Sequence, residues 1–144
     1  MLSDTDKKLL VSMLPQVPLF ASMDKKALNT VANSAGKKTY KSGEVIAKEG
    51  DKALSFFLIL EGSVEVRKGK RVLATLGKSQ FFGEMAVLDE QPRSADVIAT
   101  SETTCILLTS WAFAGVMAGN PDISKVIVKE LVRRLRETDK ALTE

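Results

Sequence analysis

The chain contains no histidine and one cysteine. Without imidazole it lacks the usual general base, the commonest transition-metal ligand and any Ser-His-Asp or Cys-His pair, which excludes most hydrolytic mechanisms; no enzyme activity is expected. The lone thiol, Cys105, rules out an intramolecular disulfide, and its place in the apolar run Cys105–Leu108 suits a small buried group better than a reactive one. Long apolar runs are also missing. The longest, Phe56–Leu60, is strand-sized, far below the roughly 18 residues of a membrane span, so no membrane partner is expected. The N-terminus, Met1-Leu2-Ser3-Asp4, shows neither a basic leader nor a long apolar segment, and the expected address is cytoplasmic. Charge is not concentrated by sign: 21 Lys and Arg are interspersed with 18 Asp and Glu for a net +3, which gives no reason to expect nucleic acid.

What is present is ordinary for one globular domain: 144 residues, 44% apolar and 27% charged, enough to bury a core without disulfides or structural metal. Ser3, with Asp6 three residues on, can cap a short helix through Leu9, Leu10 and Met13 to about Leu14; Pro15 and Pro18 break it. Ser22 or Asp24 can cap a second helix with Leu28, Val31 and Ala32 on one face, ended by Gly36. From Lys37 to about Leu108 short apolar runs alternate with turns containing Gly43, Gly50, Gly62, Gly69 and Gly77. The alternation Val64-Glu65-Val66-Arg67 gives one buried and one wet face, as in a sandwich or roll with its core between two sheets. Ser110 can then cap a helix through Phe113, Val116 and Met117, stopped at Gly119-Asn120-Pro121. A last helix from about Asp122 carries Val128, Leu131, Leu135, Thr138 and Leu142 at heptad spacing. That stripe can pair with a second copy of the chain or pack on its own sheet.

Unusual backbone and charge coincide in one segment, Phe82-Gly83-Glu84-Met85-Ala86-Val87-Leu88 followed by Asp89-Glu90-Gln91 and Pro92-Arg93-Ser94-Ala95. Gly83 permits a close backbone approach, and the amides opening the short turn after it are suited to an anion. Arg93 offers a planar fork for two phosphate oxygens and Ser94 a hydroxyl. Glu84, beside such a site, suits neutral donors such as sugar hydroxyls. The trio suggests a phosphorylated sugar; equally, Glu84 and Arg93 can pair with each other and merely close a surface loop.

Residues Phe82–Ala95 resemble the phosphate-binding cassette of cyclic-nucleotide-binding domains, found in bacterial catabolite activator proteins and in regulatory subunits of cyclic-AMP-dependent kinases: Phe-Gly-Glu, then an arginine nine residues after the glutamate, with Pro before it and a small residue after. The resemblance extends to Val17-Pro18-Leu19-Phe20, Ser42–Ile46, Glu49-Gly50-Asp51, Phe57–Ile59, Glu61–Val64 and Asn120–Ile123, nearly the whole chain. It implies a mainly β fold with flanking helices, an eight-stranded jelly-roll-like β-roll (a double-stranded β-helix) with N-terminal helices and a C-terminal lid helix across the ligand. One domain, 1–144, is expected: helices in 1–36, the roll in 37–109 with the cassette at 82–95, and helices in 110–144.

The same resemblance implies that Glu84 takes the ribose 2′-hydroxyl and Arg93 the exocyclic oxygens of a cyclic phosphate, with Phe82, Gly83, Met85, Ala86, Ser94 and Ala95 completing the cassette. Thr138 falls where catabolite activator proteins meet adenine, and Arg134 would approach the ribose edge. Asp139 departs from the serine of that family. The ligand implied is cyclic AMP rather than cyclic GMP, with no catalytic cofactor. The expected function is regulatory: occupancy favours docking of the last helix about a hinge at Asn120-Pro121. Alternatives are the sensor part of a catabolite-activator-type transcription regulator, or an interaction module of this fold that binds no nucleotide. Arg133, Arg134 and Arg136 read as a solvated face plus lid rather than a DNA contact.

Overall fold

A computed structural model describes residues 2–84 and 86–143, with side chains described as far as Asp139. Among the described residues eight strands form two four-stranded antiparallel sheets: β1 (Gly36–Tyr40), β8 (Thr103–Thr109), β3 (Ser55–Glu61) and β6 (Phe81–Phe82) in one, β2 (Val45–Ala47), β7 (Asp96–Ala99), β4 (Ser63–Lys68) and β5 (Arg71–Gly77) in the other, in those orders. Chain neighbours are often split between sheets, the signature of a roll, and the expected mainly β architecture is the one found.

In the first sheet β3 is buried on both faces, and this is why it reads as a continuous apolar run instead of alternating. Phe56, Leu58, Ile106 and Leu108 point to a core shared with the helices. Phe57, Ile59 and Cys105 point between the sheets, where Val64, Val97 and Ala99 meet them. Gly62, at φ +94, makes the β3–β4 reversal; a Cβ there would lie 2.4 Å from the Glu102 carbonyl oxygen, so no other residue fits without moving the β7–β8 turn.

Helix α1 (Asp4–Met13) is capped by Ser3, whose Oγ accepts from the Asp6 amide at 3.1 Å. The Asp6 carboxylate pairs instead with Lys37 Nζ at 3.0 Å, tying the helix to β1. Two 3₁₀ turns, Leu14–Gln16 and Pro18–Phe20, follow the prolines. Of the two candidate caps for α2 (Lys25–Ala32), Asp24 is used, accepting from Ala27 N at 2.8 Å. Gly36 does not end that helix: the chain leaves it at Asn33, and Gly36 opens β1.

Helix α4 (Ser110–Gly119) is capped by Thr109, whose Oγ1 accepts from Ala112 N at 3.2 Å, and not by Ser110, which lies one residue inside. Asn120 closes it by donating from its side chain to the Val116 carbonyl, and α5 (Pro121–Thr143) starts at once, with proline where no donor is missed. The apolar stripe of α5 divides. Ile123 and Ile127 are buried and Leu131 packs against the helical core, whereas Val128, Val132 and Leu135 are 58%, 44% and 61% exposed. The seam at Val128 and Leu135 therefore does not pack on its own sheet; the side chain of Leu142 lies outside the described residues.

Candidate functional site

Strand β6 delivers the chain to the cassette with one phenylalanine in each core. Phe81 lies 6.3 Å from Phe56 on the helical side, and Phe82 stacks on Phe57 at 4.7 Å and 12° between the sheets. Gly83 then turns at φ +76, accepts the Ala86 amide on its carbonyl at 3.0 Å, and leads into the one-turn helix α3 (Ala86–Asp89). Ala86 and Val87 are buried and anchor the turn. Since the Ala86 amide is engaged by Gly83, it closes the turn rather than facing a ligand.

The return limb is fixed by the loop before β3. Arg93 donates its amide to the Asp51 carbonyl at 2.8 Å and accepts from Gly50 N at 2.9 Å, while Ala53 N donates to Gln91 O at 3.2 Å. Glu90, at φ +51, is held by the buried Ser110 hydroxyl, which donates to its Oε1, and by Lys52 Nζ at 3.4 Å. The Ser110 hydrogen bond, then Lys52, hold its carboxyl below the ordinary glutamate range.

Arg93 is the electrostatic centre. Its Nη2 donates to the Ser55 carbonyl at 2.7 Å, and its guanidinium lies 5.7 Å from the centre of the Phe57 ring. Burial draws its pKa below the usual arginine value, yet among the described residues it has no carboxylate partner. The side chain remains charged, so it is a partly buried cation whose neighbours are a carbonyl and an aromatic ring. A Cβ on Gly83 would sit 2.4 Å from Arg93 Nη1, so the glycine serves both the turn and the path of the guanidinium. The surface ion pair between Glu84 and Arg93 is not formed. The Glu84 carboxylate, half-buried, is likewise without an ion pair or hydrogen bond among the described residues.

Two clefts meet at Arg93. One, of about 220 Å³, holds Gly83, Glu84, Ala86 and the exposed Ser94; the other, of about 370 Å³, runs between β2 and the loop before β3, with Ile46, Ala47, Lys48, Asp51, Ser55 and Phe57. The larger lies within the usual range of small-molecule sites, roughly 300–1,000 Å³. Lys48 and Lys52 line it together with Asp51, and Lys52 is the lysine already paired with Glu90. None of its β2 or loop residues was read from the sequence as part of a site, because a carbonyl such as that of Ser55 leaves no mark there.

The cassette residues Phe82, Gly83, Glu84, Ala86, Arg93 and Ser94 are thus brought together, with Ala95 buried behind them. Met85 lies outside the described residues. Arg134 and Thr138 are not brought to this place: no residue of α5 lines either cleft, the Arg134 Nε lies 3.5 Å from Glu130 Oε1, and Thr138 Oγ1 donates to the Arg134 carbonyl. Glu130 is 3% exposed and its carboxyl is held below the usual range, first by hydrogen bonding from Arg133. Among the described residues no group of three or more Cys, Asp or Glu side chains could hold a metal ion, and no helix is long and apolar enough to cross a membrane.

A β-roll whose glycine-led turn lies beside an arginine and a carboxylate, each without an ion-pair partner among the described residues, has the chemistry of a class suited to a small anionic ligand with hydroxyls. The comparisons narrow that class, for the profile of the cyclic nucleotide-binding domain matches residues 37–120, and the chain belongs to this family. The chain is 30% identical over 130 residues to a cAMP-dependent protein kinase regulatory subunit of Hypocrea atroviridis, covering 90% of this chain and 26% of that protein. The chain spans about a quarter or less of the length of the curated relatives it matches. Among solved structures, the N-terminal domain of a transcriptional regulator from Streptomyces coelicolor superposes with a TM-score of 0.81 at 27% identity, over 90% of this chain and 94% of that one. The regulatory domain of Toxoplasma gondii PKA, solved with cAMP, gives 0.73 at 29% identity over 81% and 46%.

Proposed function

We propose that this domain is a non-catalytic sensor of a cyclic purine nucleotide, cyclic AMP in preference to cyclic GMP, whose occupancy is passed to the C-terminal helix. The observation that carries it is Arg93: a guanidinium taken partly out of water beside a carbonyl and an aromatic ring, with no carboxylate to neutralise it, is favourable when an anion completes the site. Glu84 across the smaller cleft is free to accept from ribose hydroxyls, and Ser94 to donate to the phosphate. The cAMP complex of the T. gondii relative supports the choice of ligand.

Thr138 meets the base and Arg134 the ribose edge only if α5 moves toward the clefts from its present position, pivoting at Asn120-Pro121. That difference in contact is what would let a ligand bias the helix. The exposed Val128, Val132 and Leu135, at i, i+4 and i+7, would then form a seam for a second copy. The near-complete mutual coverage with the S. coelicolor domain favours, as a second reading, the sensor part of a transcription regulator, with DNA contacts made by another region. A cytoplasmic address suits either.

Titration calorimetry with cyclic AMP and with cyclic GMP is the test. Saturable binding of cyclic AMP, tighter than of cyclic GMP, is expected; heats indistinguishable from dilution for both would leave only an interaction module of the same fold.

A further inference from the structure

The β4–β5 hairpin carries a feature that the ligand site does not use. Between Glu65 and Leu73 stand four cations and one carboxylate, a local net charge of +3, equal to that of the whole chain. Arg67 is spoken for, since its guanidinium pairs with Glu65. Lys68, Lys70 and Arg71 are exposed, and among the described residues none of the three sits in an ion pair. Lys68 and Arg71 face each other across the strands, on either side of a two-residue turn led by Gly69 at φ +62. Like charges directly opposite destabilise a hairpin, so stability of the sheet does not account for them.

Beside the cations, Val72 and Leu73 are 48% and 49% exposed, and every residue from Lys68 to Thr75 is exposed. Leu73 is the extra residue of a bulge, since Val66 pairs with Ala74 and Arg67 with Val72; the bulge spoils the β5 edge as a template for another strand. With Lys68 to Thr75 all exposed around a two-residue turn on an edge hairpin, the tip is a projection rather than a groove. Nucleic acid would use the three cations but not the aliphatic pair, and a peptide would need a concave or strand-compatible surface. A flat, deformable, negatively charged surface with an apolar layer beneath it fits both groups at once: cations at the headgroup level and Val72-Leu73 inserted just below.

We infer that the β4–β5 tip is a peripheral contact for anionic phospholipid, independent of the nucleotide site. This modifies the expectation of no membrane partner, which rested on the lack of a span; a surface contact needs no long apolar run.

The full chain would be sedimented with phosphatidylcholine vesicles containing about 30% phosphatidylserine, and with phosphatidylcholine alone. Binding to the first and not the second, weakening as salt is raised, is expected. Lys68→Gln/Lys70→Gln/Arg71→Gln should bind roughly 100-fold more weakly, taking about 1 kcal/mol per cation near such a surface. Val72→Ser/Leu73→Ser should keep the salt dependence and lose several-fold. Both variants should melt as the parent does, because the tip buries nothing. Absence of binding to the anionic vesicles, equal binding by the triple variant, or a serine pair without effect while a single-stranded oligonucleotide competes, would each overturn the inference.

Discussion

Replacing Arg93 by methionine separates the two roles open to a half-buried arginine. In the free protein the substitution removes a charged hydrogen bond to Ser55 O, worth about 1.5–3 kcal/mol, and a contact with the Phe57 ring worth about 1 kcal/mol. Against this it removes the cost of keeping an unneutralised cation away from water, which reaches several kcal/mol for a fully enclosed ion and is smaller for one partly enclosed. Methionine fills much of the same space, so the two sides nearly cancel and the net change should stay within about 1 kcal/mol, or about 4 °C in melting temperature for a domain of this size. Binding behaves differently. Losing the phosphate's charged partner should cost about 2–5 kcal/mol, roughly 30-fold or more. At ligand one hundred times the parent Kd, the parent gains about 2.7 kcal/mol and the variant no more than about 0.9, so a rise near 11 °C should shrink to below about 4 °C. Thermal melts with and without cyclic AMP read both numbers. A variant that melts more than 10 °C lower without ligand, or that keeps the full ligand-induced rise, would refute the claim that Arg93 is unpaired and held for an anion.

Gly83→Ala should lower stability by about 1–2 kcal/mol for the left-handed backbone and weaken cyclic AMP at least tenfold by displacing Arg93 Nη1; Gly69→Ala, left-handed but in open space, should show the stability loss without the binding loss in the same calorimetry. Burial pushes the Cys105 thiol up to about 11 and the Tyr40 hydroxyl to about 12. Both pKa values are raised on folding, so their contribution is full below the unfolded values and is lost as pH climbs through the folded ones. Urea midpoints should therefore fall from about pH 9 upward, less steeply in Cys105→Ala; an identical slope in the variant would dismiss the thiol as a cause. Leu135→Glu, at a position 61% exposed, should leave the melting temperature within about 2 °C while converting a dimeric parent to monomer by light scattering, and a parent already monomeric at high concentration would remove the seam.

The elements that were legible in the sequence are those in which pattern and burial agree. Val64-Glu65-Val66-Arg67 alternates because one face of β4 is wet, and Phe56–Leu60 is continuous because β3 is covered on both sides. Strand β1 was not legible: Gly36-Lys37-Lys38-Thr39-Tyr40 offers only Tyr40 to a core and is made a strand by pairing with β8. Strand β6 is two residues long, too short for any period. Thr109 and Ser110 are chemically equivalent as caps, and the choice is made by Glu90, which takes the Ser110 hydroxyl from a distant part of the chain. In the site, the charged and glycine positions could be read because few other residues do their work, whereas the β2 wall, the Ser55 carbonyl and the position of α5 arise only from tertiary packing. The concentration of cations at the β4–β5 tip was hidden by an overall balance of charge and became visible once the turn placed Lys68 opposite Arg71.

The two adjacent phenylalanines of β6 give the cassette two unequal mechanical connections. Phe82, half-buried, packs into a compartment formed by strand residues. Phe81, with Val87 and Leu88, shares its compartment with Ile123 and Ile127 at the root of the last helix. Close-packed interiors do not compress, so under the proposed coupling a displacement of the glycine turn would be relieved through this second compartment, at the root of α5.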